Sequence, residues 1–241
     1  MSESPTPKPR AGRTAQGRRR VRGELALAAL DLFAEQGFEA TTVDHIAEAA
    51  GISRRTFFRY FRAKEDVVFP SHDERLGEVV DLLDGADPAA DPLRVLAGTA
   101  EVVLDMYLAE PAVSLKRFAL TRQVPSLRDK EITSIDRYQR VFARFLRARY
   151  ADRPGGELHA AVAAAAVVAA HNHVLRQWLK SGGARDAKAE LRTALDSVHA
   201  ALSAPRPAEQ DNVVVGVLRT AAPPDAVLAQ LEHALRDLPQ H

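Results

Sequence analysis

The 241 residues include no cysteine, which excludes a disulfide framework, a thiolate nucleophile and a cysteine-rich zinc site. Such a chain suits a reducing compartment, and a cytoplasmic location is expected. Long hydrophobic runs are missing too. The longest, Ala160 to Ala170, is eleven residues of alanine and valine, short of the 18 or more that mark a spanning helix. No membrane partner is expected. Residues 1–22 are basic but lack an apolar stretch and a small-residue cleavage pattern, so they do not read as a secretory signal. Period-two alternation is nearly absent, as is any internal repeat of 20–50 residues. What remains is ordinary for a globular protein: 46% apolar and 27% charged residues, enough to bury a core without covalent staples.

Net charge is only +1, yet its distribution is uneven. Residues 1–64 hold twelve Lys/Arg against seven Asp/Glu, whereas residues 65–241 hold 21 against 25. The first quarter is basic and the rest acidic, which suggests a polyanion partner for the N-terminal part alone. A solvated basic tail would give the same arithmetic.

The pattern along the chain predicts an all-α protein. Residues 1–17, rich in Pro, Ser, Thr and Gly, read as a flexible basic arm, followed by the cluster Arg18, Arg19, Arg20 and Arg22. A first helix is expected from about Arg19 to Gly37. A second, capped by Thr41-Thr42, runs through Ala50, and a third, capped by Ser53, runs to about Phe61. Lys64-Glu65-Asp66 then opens a longer helix that fades near Gly85. Proline and glycine punctuation separates further helical segments at Leu93–Leu108, between Pro111 and Pro125, from Ser126 to near Tyr150, and at Glu157–Lys180. In a last one, at 186–203, Leu191, Leu195, Val198 and Leu202 step at the spacing of a packing seam. Beyond Pro205, Val213 to Leu218 reads equally as a strand, a buried turn or a helix start. Pro224 opens an amphipathic stretch, giving one extra helix in a 204–241 extension. The domains expected are therefore an arm, a small domain at 18–64 and a larger one at 65–203.

The segment from Thr42 to Phe61 carries the most information. Two short helices crossing steeply need a small residue where their backbones approach, supplied by Ala47. They also need a residue that tolerates a left-handed turn, supplied by Gly51, where a Cβ would cost roughly 1–2 kcal/mol. Ile46, Ile52, Phe57 and Phe61 then close a small core against Leu32 and Phe33. This leaves Arg54, Arg55, Thr56, Phe58, Arg59 and Tyr60 on the remaining surface. A helix beginning with two arginines suits the DNA major groove. Its first N–H groups favour phosphate, and a guanidinium can bond bidentately to a guanine edge, worth about 1–3 kcal/mol of discrimination. The bland alternative is a basic, solvated face on a structural helical hairpin.

Leu27 to Phe69, above all Ala29–Phe38, Ala40–Val43, Ile46-Ala47, Ala50–Ser53 and Thr56–Phe61 with Lys64-Glu65, resembles the DNA-binding domain of TetR-type transcriptional regulators. The resemblance implies an all-helical homodimer, usually a repressor. Three N-terminal helices would bind a palindromic double-stranded operator, and a larger C-terminal domain would hold a small-molecule effector. Residue by residue, it implies that Thr42 and Lys64 meet phosphate and that Arg54, Arg55 and Thr56, behind the cap Ser53, face bases. Tyr60 would touch the backbone, and Arg18, Arg19 and Arg20 would enter the neighbouring minor groove. Two positions depart from the family pattern: Arg55 replaces a small residue, and Phe58 replaces a tyrosine and its hydroxyl. The segment Leu115–Arg149 also resembles the effector domain of an actinobacterial subgroup, some of whose members respond to long-chain acyl-CoA esters.

For the effector, Met106, Phe118, Phe142 and Trp178 are the candidate apolar wall, Arg122 the candidate partner of an anionic group and His173 a candidate polar contact. His171 and His173 lie about 200° apart on a helix and cannot share one metal ion, so each reads as a polar residue at a helix contact or pocket wall. Neither a metal nor a cofactor is expected. No nucleophile, base and orienting group come together in the pattern, so an enzyme is not expected either. The competing assignment is a DNA-binding architectural or constitutive factor without an effector, or an activator. A closed apolar cavity in the 66–203 region separates a regulator from a constitutive factor.

Overall fold

The computed structural model describes residues 15–69 and 72–203. Nine α-helices and no strand occur among them: α1 (Ala15–Gln36), α2 (Val43–Ala49), α3 (Arg54–Tyr60), α4 (His72–Asp84), α5 (Pro92–Leu108), α6 (Pro111–Gln123), α7 (Pro125–Arg149), α8 (Gly156–Lys180) and α9 (Ala187–Ser203). The expected all-α architecture is the observed one. Residues 1–14 and 204–241 lie outside the described residues, and with them most of the expected arm and the expected C-terminal helix.

Two boundaries differ from the sequence reading. α1 begins at Ala15 rather than near Arg19, so Arg18, Arg19 and Arg20 all lie in its first turns. The polar composition that suggests an arm says nothing against a helix whose later turns are anchored by packing. In place of one helix opening at Lys64, a separate 3-10 turn spans Lys64–Val68, and α4 starts only at His72.

Local chemistry sets the N-terminal elements. Thr42 caps α2, its Oγ1 accepting from His45 N–H at 3.2 Å, while His45 Nδ1 accepts from Thr42 N–H at 3.4 Å. Gly51 takes a left-handed φ of 64°, which lets Ile52 N–H reach back to Ala47 O at 2.9 Å and close the helix end. Ser53 then caps α3 by accepting from Thr56 N–H at 3.1 Å.

Buried apolar residues sort into two clusters. The first joins Leu25, Leu30, Phe33, Phe38, Ile46, Phe57, Phe61, Val67 and Val68, and it is completed by Leu120 of α6 and Leu127 of α7. The small three-helix unit thus closes against the larger one. Ile52 and Leu32, expected at its centre, are only partly buried beside it. The second cluster is built from α4, α5, α7, α8 and α9.

α8 is long and apolar enough, by length and composition, to cross a membrane, which a count of unbroken apolar residues does not reveal. Its stripe Ala160, Ala163, Ala164, Val167 and Val168 is instead buried in the second cluster. The alanines let neighbouring helix axes approach. Gly156 makes the tightest approach, because a Cβ there would overlap the carbonyl oxygen of Tyr150 and stand 3.2 Å from its Cβ. Gly156→Ala is expected to cost about 2 kcal/mol through this overpacking, read as a lower urea midpoint with an unchanged slope.

Candidate nucleic-acid interface and adjoining cavity

α3 buries Phe57 completely and turns its other side outward. Arg54, Arg55, Phe58 and Arg59 are exposed along that side. Arg54 is held from two directions: Nη1 donates to Asp44 Oδ2 of α2 at 2.6 Å, and the guanidinium lies 5.4 Å from the Phe58 ring centre. Phe58, 45% exposed, rests edge-on against Phe57 at 5.5 Å. Arg55 makes no ion pair or side-chain hydrogen bond among the described residues. Two adjacent arginines thus differ in freedom: one is pre-oriented by a carboxylate and a ring, the other is unrestrained. Thr42 and Ser53 are exposed at the starts of α2 and α3, and Ser53 Oγ lies 2.9 Å from Thr56 Oγ1.

Four more of the expected contact residues are occupied within the protein. Lys64 Nζ donates to the carbonyls of Phe38 at 2.8 Å, Thr41 at 3.2 Å and Glu39 at 3.4 Å, and lies 4.4 Å from the Phe38 ring centre. Its three donors fasten the loop that carries Thr42. Tyr60 is buried, with its hydroxyl accepting from Arg59 Nη2 at 3.3 Å. Arg19 pairs with Glu74 and Glu78 of α4. Arg20 pairs with Glu24 on its own helix; Arg18 is exposed. Arg22 Nη1 donates to Glu74 Oε1 at 2.8 Å, and Nη2 donates to Tyr60 O at 3.2 Å. Here a cation meets the C-terminal end of α3, where the helix dipole favours it, and the same arginine ties α3 to α4.

Behind this unit, a partly open cavity with about 50 Å³ of free space lies among α5, α7 and α8. Ala100, Val103, Ile135, Phe142, Val168 and Leu175 form its apolar wall, while Tyr107, Glu131, Ser134, Tyr138, His171 and Asn172 supply polar groups. Of the six residues proposed from sequence to touch an effector, Phe142 lines this cavity. Met106, Phe118, Arg122, His173 and Trp178 do not. Arg122 and His173 are exposed, and Trp178 is buried in the helical core. The available signal was register: His171 continues the buried series 160, 164, 167, 174, 175 and 178 of α8, while His173 falls opposite it.

Burial sets the electrostatics of the cavity wall. Desolvation brings the His171 imidazole down to about 4, against a small opposing effect of its contact with Asn172. Desolvation likewise raises the Glu131 carboxyl, offset in part by Arg117, Arg176 and Arg128. The Tyr138 hydroxyl is raised, chiefly by burial. Among the described residues no group of three or more His, Asp or Glu could hold a metal ion.

Comparison with known proteins places this geometry. A family profile described as bacterial regulatory proteins of the tetR family matches residues 26–69, and one described as the MftR C-terminal domain matches residues 94–203. The Mycobacterium tuberculosis regulator MftR, whose name assigns it to mycofactocin biosynthesis, is 30% identical over 149 residues, covering 62% of this chain and 73% of its own. The Streptomyces glaucescens regulator TcmR is 30% identical over 137 residues, covering 54% of this chain and 61% of its own. A crystal structure from Syntrophomonas wolfei assigned to the TetR family shares the fold. Its TM-score is 0.58 at 15% identity, covering 77% of this chain and 96% of that one.

Proposed function

The chain belongs to the TetR family of bacterial transcriptional regulators, and from that premise we propose that it is a cytoplasmic, homodimeric repressor that releases a palindromic operator when a small, largely apolar effector enters the α5–α7–α8 cavity. The observation that carries the DNA reading is the division of α3 into a buried Phe57 side and an outward arginine side. Thr42, Ser53, Thr56 and Phe58 share that outward surface. Arg55 is the first candidate for a base contact because no ion pair or side-chain hydrogen bond engages it among the described residues. Arg54 is delivered in a fixed orientation, and Lys64 acts on the interface through the loop it fastens.

The two proposed copies associate through α8 and α9 as an isologous four-helix contact. Sedimentation is expected to give a mass of two 26.3 kDa chains; one chain at micromolar concentration contradicts the dimer. Free space of about 50 Å³ accommodates only about three to five waters at roughly 10–15 Å³ each. A larger occupant, whether an acyl chain such as that of a coenzyme A ester or a compact ring, would press α5, α7 and α8 apart as it fills this space. The population then shifts toward a dimer whose α3 helices no longer match major grooves separated by about 34–36 Å. The cavity itself supports this reading over a constitutive DNA-binding factor.

Selection from a random DNA pool by the full chain tests the proposal. Enrichment of a two-fold symmetric site is expected, and a pool that stays random rejects it. On the selected site, Arg55→Ala is expected to reduce preference over random DNA by about 1–3 kcal/mol, or 5–150-fold. Arg54→Ala should do the same or less, since Asp44 competes for its guanidinium. Competition binding assays measure both, and equal losses on selected and random DNA contradict base contact.

A further inference from the structure

We infer that the effector of the α5–α7–α8 cavity is an uncharged amphipathic molecule with a hydroxyl or N–H group that donates a hydrogen bond to His171 Nε2. Its apolar body would lie against Val103, Ile135, Phe142 and Val168. The inference rests on reading the cavity as the effector site and goes further by naming the chemistry read there.

His171 lines the cavity and is 7% exposed, yet its Nε2 is buried without a hydrogen-bond partner among the described residues. A buried polar atom of this kind is uncommon in a folded protein and requires an explanation. The other ring nitrogen identifies what is missing. Nδ1 lies 3.3 Å from Asn172 Oδ1; with the amide oxygen, an acceptor only, facing the ring, the tautomer that makes this bond carries its proton on Nδ1 and presents a lone pair at Nε2. Burial keeps the ring neutral at physiological pH, so no second proton is available to turn Nε2 into a donor. The group that completes the site must therefore donate.

Charge narrows the class. A carboxylate or phosphate, though attracted by Arg75, Arg117 and Arg176, would set lone pairs against the Nε2 lone pair and share the cavity with Glu131. A cation would enter the field of Arg117 and Arg176, which already act on Glu131, and of Arg75, whose own guanidinium is depressed by burial and by Arg117. An alcohol, phenol or indole-type N–H avoids both conflicts. An unsubstituted acyl chain satisfies the apolar wall but leaves Nε2 unpaired.

The test uses the full-length protein and two probes of one shape, 4-methylphenol and its methyl ether 4-methylanisole, which differ in the O–H donor. Calorimetric titration is expected to show the phenol binding at least about tenfold tighter, because the ether leaves a buried acceptor unpaired. The phenol should also move the His171 Nε2 nitrogen resonance to lower frequency, while the ether leaves it in place. His171→Leu should abolish the preference and bind the two probes alike. Equal affinities in the native protein, no binding of either probe at millimolar concentration, or a preference that survives His171→Leu each overturn the inference. So does saturation by palmitoyl-CoA, with release of DNA, while the His171 nitrogen stays unchanged. None of these results touches the regulator reading, which is decided by selection of operator DNA in the absence of any ligand.

Discussion

Phe57→Ala is expected to destabilise the protein by about 3–5 kcal/mol, the usual cost of deleting a buried phenylalanine ring. It should also abolish preferential binding to the selected DNA site. Phe57 is 0% exposed and sits between Phe58 and Phe61, each with its ring centre 5.5 Å away. Its ring is the floor on which α3 rests, and the cluster around it also holds α1, α2, the 3-10 turn and Leu120 of α6. A void there loosens the orientation of Arg54 and Arg55 without touching either. Phe58→Ala is the matched control. At 45% exposure it should cost under about 1 kcal/mol and leave the fold intact. Urea unfolding of the two variants makes the comparison, and similar losses would show that α3 does not seat as described.

Acid is expected to remove about 3 kcal/mol of stability through His171 alone, the equivalent of a fall from 6.5 to about 4. The direction follows from which state takes up the proton. At pH 7 the imidazole is neutral in both states. Between about 6.5 and 4 the unfolded chain binds a proton that the folded protein refuses, because protonation would place a charge in a desolvated site. Stability therefore falls with pH across that window and levels off below it. Other groups titrate in the same range, so the measurement is a difference. The gap between native protein and His171→Leu should change by about 3 kcal/mol between pH 7 and pH 4, in favour of the variant. Parallel urea midpoints for the two proteins across that range would contradict a buried neutral His171. At pH 7 itself the replacement should be close to neutral, since an apolar group of similar size removes an unpaired acceptor.

Helix order and the recognition segment were legible in the sequence because their signals are local. A cap at Thr42, a left-handed Gly51, a cap at Ser53 and the outward arginines all follow from neighbours within a few residues. The family resemblance over Leu27–Phe69 rests on those same positions. Contacts between distant segments were not legible. Nothing near Lys64 indicates that its ammonium turns back to three carbonyls some 25 residues earlier. Likewise, Arg19 and Arg22 resemble a free basic cluster until α4 brings Glu74 and Glu78 against them.

The cavity was the hardest feature to anticipate. Choosing aromatic residues for its wall identified Phe142 but passed over Tyr138, one turn away on the same helix. The choice also took His173 into the effector list where register along α8 selects His171. Periodicity shows which side of a helix is buried. It does not show where three buried sides fail to fill the space between them, because that depends on the packing of α5, α7 and α8 together.

The central claim is that α3 delivers its arginines to duplex DNA, and the salt dependence of operator binding tests it most directly. If each of two subunits neutralises roughly four phosphates, the slope of log affinity against log salt should be near −7. Fluorescence anisotropy on the selected site between 50 and 300 mM salt would give that slope, with Arg55→Ala lowering affinity for the selected site more than for random DNA. A slope near zero, with Arg55→Ala indistinguishable from the native protein, would contradict the account.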